Sequence, residues 1–408
     1  MENTKKTVIF NPFLPSYKKN PYDQFKKIRS SDPLHFSETL QAWIVLTYDD
    51  ANSILSNNQI FSSSPLNAKG QIADLIHAQQ ADSPLGFVET VITSDPPTHT
   101  RLRSIVSKAF VPKNINLLTD YAITIIDEII DKAVDSGQMD IMADLAQPVP
   151  VKIIARMLGV PVSDYKIFKN WSDKIILAAT NVFPNQNVID NANHAIQELS
   201  EYFKLQIENK RDNQISDDII SQLIAAENAG NLLMEKELVA FIILLLVAGN
   251  ETTTNLVGNG IATLFKEQDI LARIVDKSID IDKIVEEILR VNSPVIGVAR
   301  FANKNYEMNN KLIQKGDTLL VMVGAANHDP NKFTEPELFD FNRVFNKHLS
   351  FGHGIHYCLG ASLARMETSL ILNKLVSIIS RAVLEEEIDF ESTFFLRWPK
   401  KIQIKLNT

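Results

Sequence analysis

The decapeptide FGHGIHYCLG at positions 351–360 constrains this chain more than any other stretch. It holds three glycines, two histidines and Cys358, the only cysteine among 408 residues. Glycine leaves out the Cβ where a loop turns tightly or a flat group comes against backbone. Gly352, Gly354 and Gly360 therefore frame the thiol with bare main chain. The segment that follows, ASLARMETSLILNKLVSII, has the apolar spacing of an amphipathic helix over 361–379. Cys358 thus stands at a helix N-terminus, where backbone N–H groups and the helix dipole favour a thiolate. A lone cysteine is more often a small buried hydrophobe; the glycines and the helix start argue instead for a metal or an electrophile. A zinc site from His353, His356 and Cys358 is the competing reading. H-x-x-H-x-C is not a common zinc spacing, and no second cysteine exists to close a structural site.

One cysteine excludes an internal disulfide framework and fits a reducing compartment. The formal net charge of −8 gives no reason to expect a nucleic-acid partner. The apolar patch at 8–10 is broken by Asn11 and Pro12 and is too short for a signal-peptide core. The longest apolar run, Leu238 to Gly249, falls below the ~20 residues that span a bilayer. The expectation is a cytoplasmic, membrane-free, monomeric protein.

Helical periodicity dominates from Asn116 to Val291, most plainly near 125–134 and over 165–180. Strand-like runs sit toward the ends. LHFSETLQAWIVLTY (34–48) has the pattern of a hairpin, and residues 306–326 alternate around turn residues Asn309–Asn310 and Lys315–Gly316–Asp317. FFLRWPKKIQIKL (394–406) is suited to closing a further small sheet. No linker-like segment divides these pieces. The expected architecture is one domain over 1–408, mainly α with small β-sheets.

FGHGIHYCLGASLAR resembles the haem-binding signature of the cytochrome P450 monooxygenases at every fixed position: Phe351, Gly352, Gly354, His356, Cys358 and Gly360. The resemblance makes Cys358 the axial thiolate of heme b, whose electron donation favours O–O cleavage, and His356 a propionate donor. It extends in consistent order over roughly residues 20 to 405. VAGNETTTN (247–255) resembles the oxygen-binding stretch, with Glu251 and Thr252 as an acid–alcohol pair and Ala248 and Gly249 leaving room for dioxygen. A threonine hydroxyl can bond the carbonyl one turn back and open the helix, so a break in the helix is expected there. Glu287 and Arg290 resemble the Glu-x-x-Arg element, with Arg343 as third member in a structural role. His99, Arg103 and Arg300 resemble further propionate partners.

The implied reaction inserts one oxygen atom of O2 into a mid-sized hydrophobic substrate. NAD(P)H-derived electrons come through a ferredoxin or flavodoxin and its reductase, with Arg101, Lys108, Lys113, Lys347 and Arg365 as docking cations. By the same resemblance the substrate pocket draws on Leu75, Ile76, Leu85, Phe87, Val88, Phe183, Ile243, Leu244, Val295, Ile296, Val298, Phe394 and Phe395. Core packing is the competing role for each of these. A haem-thiolate protein that binds a ligand without turnover is the alternative function.

Overall fold

The computed structural model describes residues 9–181, 183–212, 217–228, 234–276 and 278–406. The start of the N-terminal apolar patch, Val8, lies outside them. Phe10 is fully buried and packs against Tyr17, Phe25 and Phe394.

The expected hairpin forms, with Leu34–Ser37 antiparallel to Ala42–Val45. It belongs to a larger five-stranded sheet. Thr318–Val321 lies parallel to Ala42–Val45 and antiparallel to Val298–Ala302, which in turn pairs with Phe61–Ser62. Tyr306–Met308 and Lys311–Ile313 form a separate hairpin. Its two turn residues, Asn309 and Asn310, have φ of +52° and +57°. Asparagine tolerates that left-handed region, and the tight two-residue turn requires it. The C-terminal run is split between two sheets. Arg397–Pro399 pairs with Phe390–Ser392, and Gln403–Leu406 lies between Gln138–Asp140 and Ala382–Leu384. Gln138–Asp140 is a short strand inside the stretch where helical periodicity dominates.

The helix Glu235–Lys266 passes through the largest apolar cluster. By length and composition it could cross a membrane, a longer apolar element than the run of residues suggested, yet 72% of its most apolar window is buried inside the protein. Being apolar nearly all round, it needs neighbours on every side. These include helices Pro148–Leu158, Tyr165–Thr180, Ile281–Val291 and Ala361–Ile379. At Gly258 a Cβ would lie 2.5 Å from Met142 Sδ and 2.9 Å from Pro399 Cγ, so a larger residue there would have to displace both side chains. Two polar side chains of this helix find partners on neighbouring segments. Thr254 Oγ1 donates to the Ala146 carbonyl (3.0 Å), and Asn259 Nδ2 to those of Asn292 (2.9 Å) and Arg397 (3.1 Å).

Candidate active site

Backbone torsion shapes the cysteine loop. Gly352 and Gly354 have φ of +71° and +72°, and a Cβ on Gly354 would come within 2.6 Å of the Leu55 carbonyl oxygen. Gly360 differs. Its φ is −85°, and no atom lies within 4 Å of where its Cβ would point, so what this position contributes is open space. The Cys358 N–H donates to the Phe351 carbonyl (2.8 Å). The thiol is accessible to water but set deep among protein atoms. That burial raises its pKa above the ordinary thiol value, against the lowering effects of a Gly360 backbone hydrogen bond and the charges of Arg103 and Arg365.

Four basic side chains meet beside this loop. His99 and Arg103 come from one face of helix Thr98–Val106, Arg300 from strand Val298–Ala302, and His356 from the loop itself. The rings of His99 and His356 are 4.3 Å apart, and His356 Nδ1 faces the Val91 carbonyl (3.1 Å). Arg103 donates to the Tyr357 carbonyl (2.8 Å), adjacent to Cys358, and Arg300 to the Ala299 carbonyl (2.7 Å). Burial lowers the Arg300 pKa to about 10. Burial, with the charges of Arg300, His99 and Arg103, drives His356 to about 3. The Nε2 atoms of His99 and His356 are buried with no hydrogen-bond partner among the described residues. The nearby carboxylate, Asp95, is already committed to the Ser62 hydroxyl and the Ser63 N–H. Two arginines and two histidines with unpartnered Nε2 atoms, beside a carboxylate already committed elsewhere, are suited to an anion, which would favour the protonated imidazoles.

Between Phe241 and Leu264 of the long helix, only Leu244, Ala248, Gly249 and Thr252 escape full burial. Leu244, Ala248 and Thr252 stand four residues apart and form one accessible stripe. Thr252 Oγ1 donates to the Ala248 carbonyl (2.7 Å), yet the helix runs unbroken from Glu235 to Lys266. The expected break is absent because this bond is accommodated within the regular ladder. The missing side chain of Gly249 points at Ile154 of the neighbouring helix, 3.5 Å from where its Cβ would be. Glu251 lies on a different, buried face. Its carboxylate meets Lys169 Nζ at 3.2 Å, and Lys169 also bonds Asp173, both on helix Tyr165–Thr180. Burial raises the Glu251 pKa; Lys169 opposes that rise and Asp173 adds to it. A cavity of about 270 Å³, lined in part by Lys169, Asp173, Glu251 and Asn255, adjoins the carboxylate. Sequence reading did not single out Lys169 or Asp173. Their i,i+4 spacing was legible, but the closeness of Lys169 to a residue 82 positions away was not.

The family model for cytochrome P450 matches residues 33–277 and 281–406. This chain belongs to the cytochrome P450 family. The polyketide biosynthesis cytochrome P450 PksS of Bacillus subtilis is 33% identical over 98% of this chain and 99% of its own length. CYP109E1 of Bacillus megaterium, solved with testosterone, superposes with a TM-score of 0.86 at 32% identity, covering 96% of this P450 and 99% of that chain. P450BioI, solved with an acyl carrier protein ligated to hexadec-9Z-enoic acid, gives 0.86 at 30% identity, over 96% and 100%.

P450s carry haem iron on a cysteine thiolate, and the residues of this P450 fit that group. No atom fills the space beside Gly360, so a flat group can come against backbone there, and the basic cluster with its unpartnered Nε2 atoms suits carboxylates. Among the described residues no three His, Cys, Asp or Glu side chains converge as metal ligands, so the zinc reading fails. His356 instead faces the Val91 carbonyl and packs on His99.

Glu287, Arg290 and Arg343 meet in the core behind this loop. Glu287 accepts two bonds from Arg290 (2.7 and 2.9 Å) and one from Arg343 (3.0 Å). The Asp340 N–H (2.9 Å) and Asn346 Nδ2 (3.1 Å) add two more. Arg290 also donates to the Asn327, Pro336 and Leu338 carbonyls, tying the connection toward the cysteine loop to one buried node.

The residues expected to line a substrate pocket separate. Ile296 and Phe394 are sealed in an apolar cluster with Phe10, Phe25 and Met322; packing claims them because they close the core beneath the sheet. Phe183 is partly exposed and rests on Phe13 (5.9 Å), an outward contact. Phe87 is exposed, and Val88, Leu244, Val295, Val298 and Phe395 are half-buried. Of the expected docking cations, Lys108, Lys113 and Lys347 are exposed. Arg101 is paired with Glu237, and Arg365 with Glu286.

Proposed function

We propose that this P450 monooxygenase inserts one oxygen atom of O2 into a mid-sized hydrophobic substrate, with heme b on Cys358. The observation that carries the reading is an accessible thiol beside a basic cluster whose two histidine Nε2 atoms are buried and unpartnered. When bound, the haem supplies the activation of O2, and the second oxygen atom leaves as water. Cys358 holds the group from one side; His99, Arg103, Arg300 and His356 bind its carboxylates. Leu244, Ala248 and Thr252 present a small, mostly apolar stripe to the substrate side. The Thr252 hydroxyl has its hydrogen committed to Ala248, so its oxygen is left to accept a hydrogen bond. Glu251 holds a proton more readily than an ordinary carboxylate and is the reservoir for delivery. Electrons come from NAD(P)H through a separate ferredoxin or flavodoxin and its reductase.

Similarity to P450s associated with a steroid, a carrier-bound acyl chain and a polyketide supports a substrate of that size and polarity. The test is a haem spin-state titration with testosterone, a free C16 fatty acid and the same acid on an acyl carrier protein, followed by product analysis. Carbon monoxide added to the reduced protein should give the thiolate-type spectrum, and Cys358→His should abolish it. A thiolate-type spectrum surviving in Cys358→His would overturn the assignment.

A further inference from the structure

Glu286, adjacent to the buried Glu287, pairs with Arg365 on the helix that follows the cysteine loop. It accepts Arg365 Nε (2.6 Å) and Nη2 (3.0 Å) in a two-pronged pair, and His348 Nε2 stands 3.3 Å from the same carboxylate. Arg365 Nη1 lies 3.3 Å from the Tyr357 hydroxyl, and its guanidinium sits over the Phe351 ring, 4.5 Å from the centroid. The His348 ring is 6.0 Å from Phe351 on a further side. Phe351 in turn accepts the Cys358 N–H through its carbonyl. One carboxylate therefore fixes an arginine that touches the residue preceding the cysteine and the residue whose carbonyl holds its backbone.

We propose that Glu286 and Arg365 are a positioning pair for the cysteine loop: Arg365, oriented by Glu286, places a fixed positive charge behind Phe351 and Cys358 and thereby sets the reduction potential of the iron this loop holds. The inference rests on Cys358 being the axial ligand. Three observations favour it over a plain surface ion pair, which is worth little. The two-pronged geometry fixes the guanidinium plane. The cation lies on an aromatic face, where its charge is less screened than in open water. Arg365 also reaches the residue just before Cys358, with Nη1 3.3 Å from the Tyr357 hydroxyl. Burial raises the Glu286 pKa, but bonds from His348 and Arg365 overcome this and hold it near about 2, so the carboxylate stays ionised throughout the working range. Arg365 is thus engaged inward.

The signs of the two charges make the test discriminating. The experiment is spectroelectrochemical titration of the haem-loaded protein as wild type, Arg365→Gln, Arg365→Lys and Glu286→Gln. Arg365→Gln removes the positive charge and should make iron reduction less favourable, by about threefold to tenfold in the equilibrium constant, tenfold being 59 mV for one electron. Glu286→Gln keeps a side-chain oxygen to hold the Arg365 guanidinium while removing the opposing negative charge, and should shift it the other way. Arg365→Lys keeps the charge without the planar fork. It should hold a potential near that of the wild type, while its carbon monoxide complex loses the thiolate-type spectrum faster. Equal potentials in wild type, Arg365→Gln and Glu286→Gln, or shifts of one sign in both, would overturn the proposal. Glu286→Gln decides alone if Arg365→Gln does not load haem. A wild type without the thiolate-type spectrum would instead overturn the ligand assignment beneath it.

Discussion

Lys169 Nζ lies 3.2 Å from the carboxylate of Glu251, on a face of the long helix separate from the accessible stripe that carries Thr252. The acid and the alcohol are neighbours in sequence, but in this structure the acid is tethered to another helix. For Glu251 to serve a reaction on the Thr252 side, that tether has to be released. Glu251→Gln should lower product formation at least tenfold, since proton-transfer groups commonly contribute about 10²–10⁴-fold. Lys169→Met should cost less. It removes the group that lowers the Glu251 pKa, so the acid keeps its proton to higher pH, and the pH profile of turnover should move upward. Product formation against pH with surrogate redox partners checks both; an unmoved profile in Lys169→Met would count against Glu251 as the proton source.

Thr252→Ala should retain haem and substrate binding, accept electrons and release much of the reducing power as peroxide. Thr252→Ser keeps a hydroxyl able to bond the Ala248 carbonyl and should restore most of the coupling. The measurement is product formed per NADPH consumed. Unchanged coupling in Thr252→Ala would leave this hydroxyl with a purely local helix role.

Glu287→Ala leaves two arginines facing a fully buried site without their carboxylate. Breaking a buried charge pair by removing one partner costs about 3–5 kcal/mol. The variant should give little haem-loaded protein, and its thermal midpoint should fall well below that of the wild type. A stable, fully loaded Glu287→Ala protein would refute the burial argument.

Glu367, on the helix that follows the cysteine loop, is buried with Oε2 unpartnered among the described residues, and burial raises its pKa from 4.5 to about 8. The folded state holds a proton that the unfolded state releases above pH 4.5. Its stabilising effect is therefore full below pH 4.5 and is lost as pH rises toward about 8, by at most about 1.4 kcal/mol per pH unit. Glu367→Gln keeps the shape and removes the titration. Denaturant unfolding at pH 5 and pH 8 should show a smaller drop in stability for the variant than for the wild type.

Local chemistry was enough to locate Cys358 and its glycine frame, the Asn309–Asn310 hairpin and the helices near 125–134, over 165–180 and over 361–379. Each depends on torsional preference or on an apolar period within a few residues, which the order of residues carries directly. The basic cluster was named residue by residue through family likeness, because spacing alone cannot bring position 99 to position 356. Three things were settled only in three dimensions. Ile296 and Phe394 went to the core because the sheet and the N-terminal segment closed over them. The helix at Thr252 stayed unbroken because its hydroxyl bond fits the ladder. Glu251 found Lys169, and Glu286 found Arg365, because packed helices bring together side chains far apart in the chain. Burial then changed their chemistry. Desolvation raised the Cys358 and Glu251 pKa values, and that depends on what surrounds a residue in space, which no local run of sequence encodes.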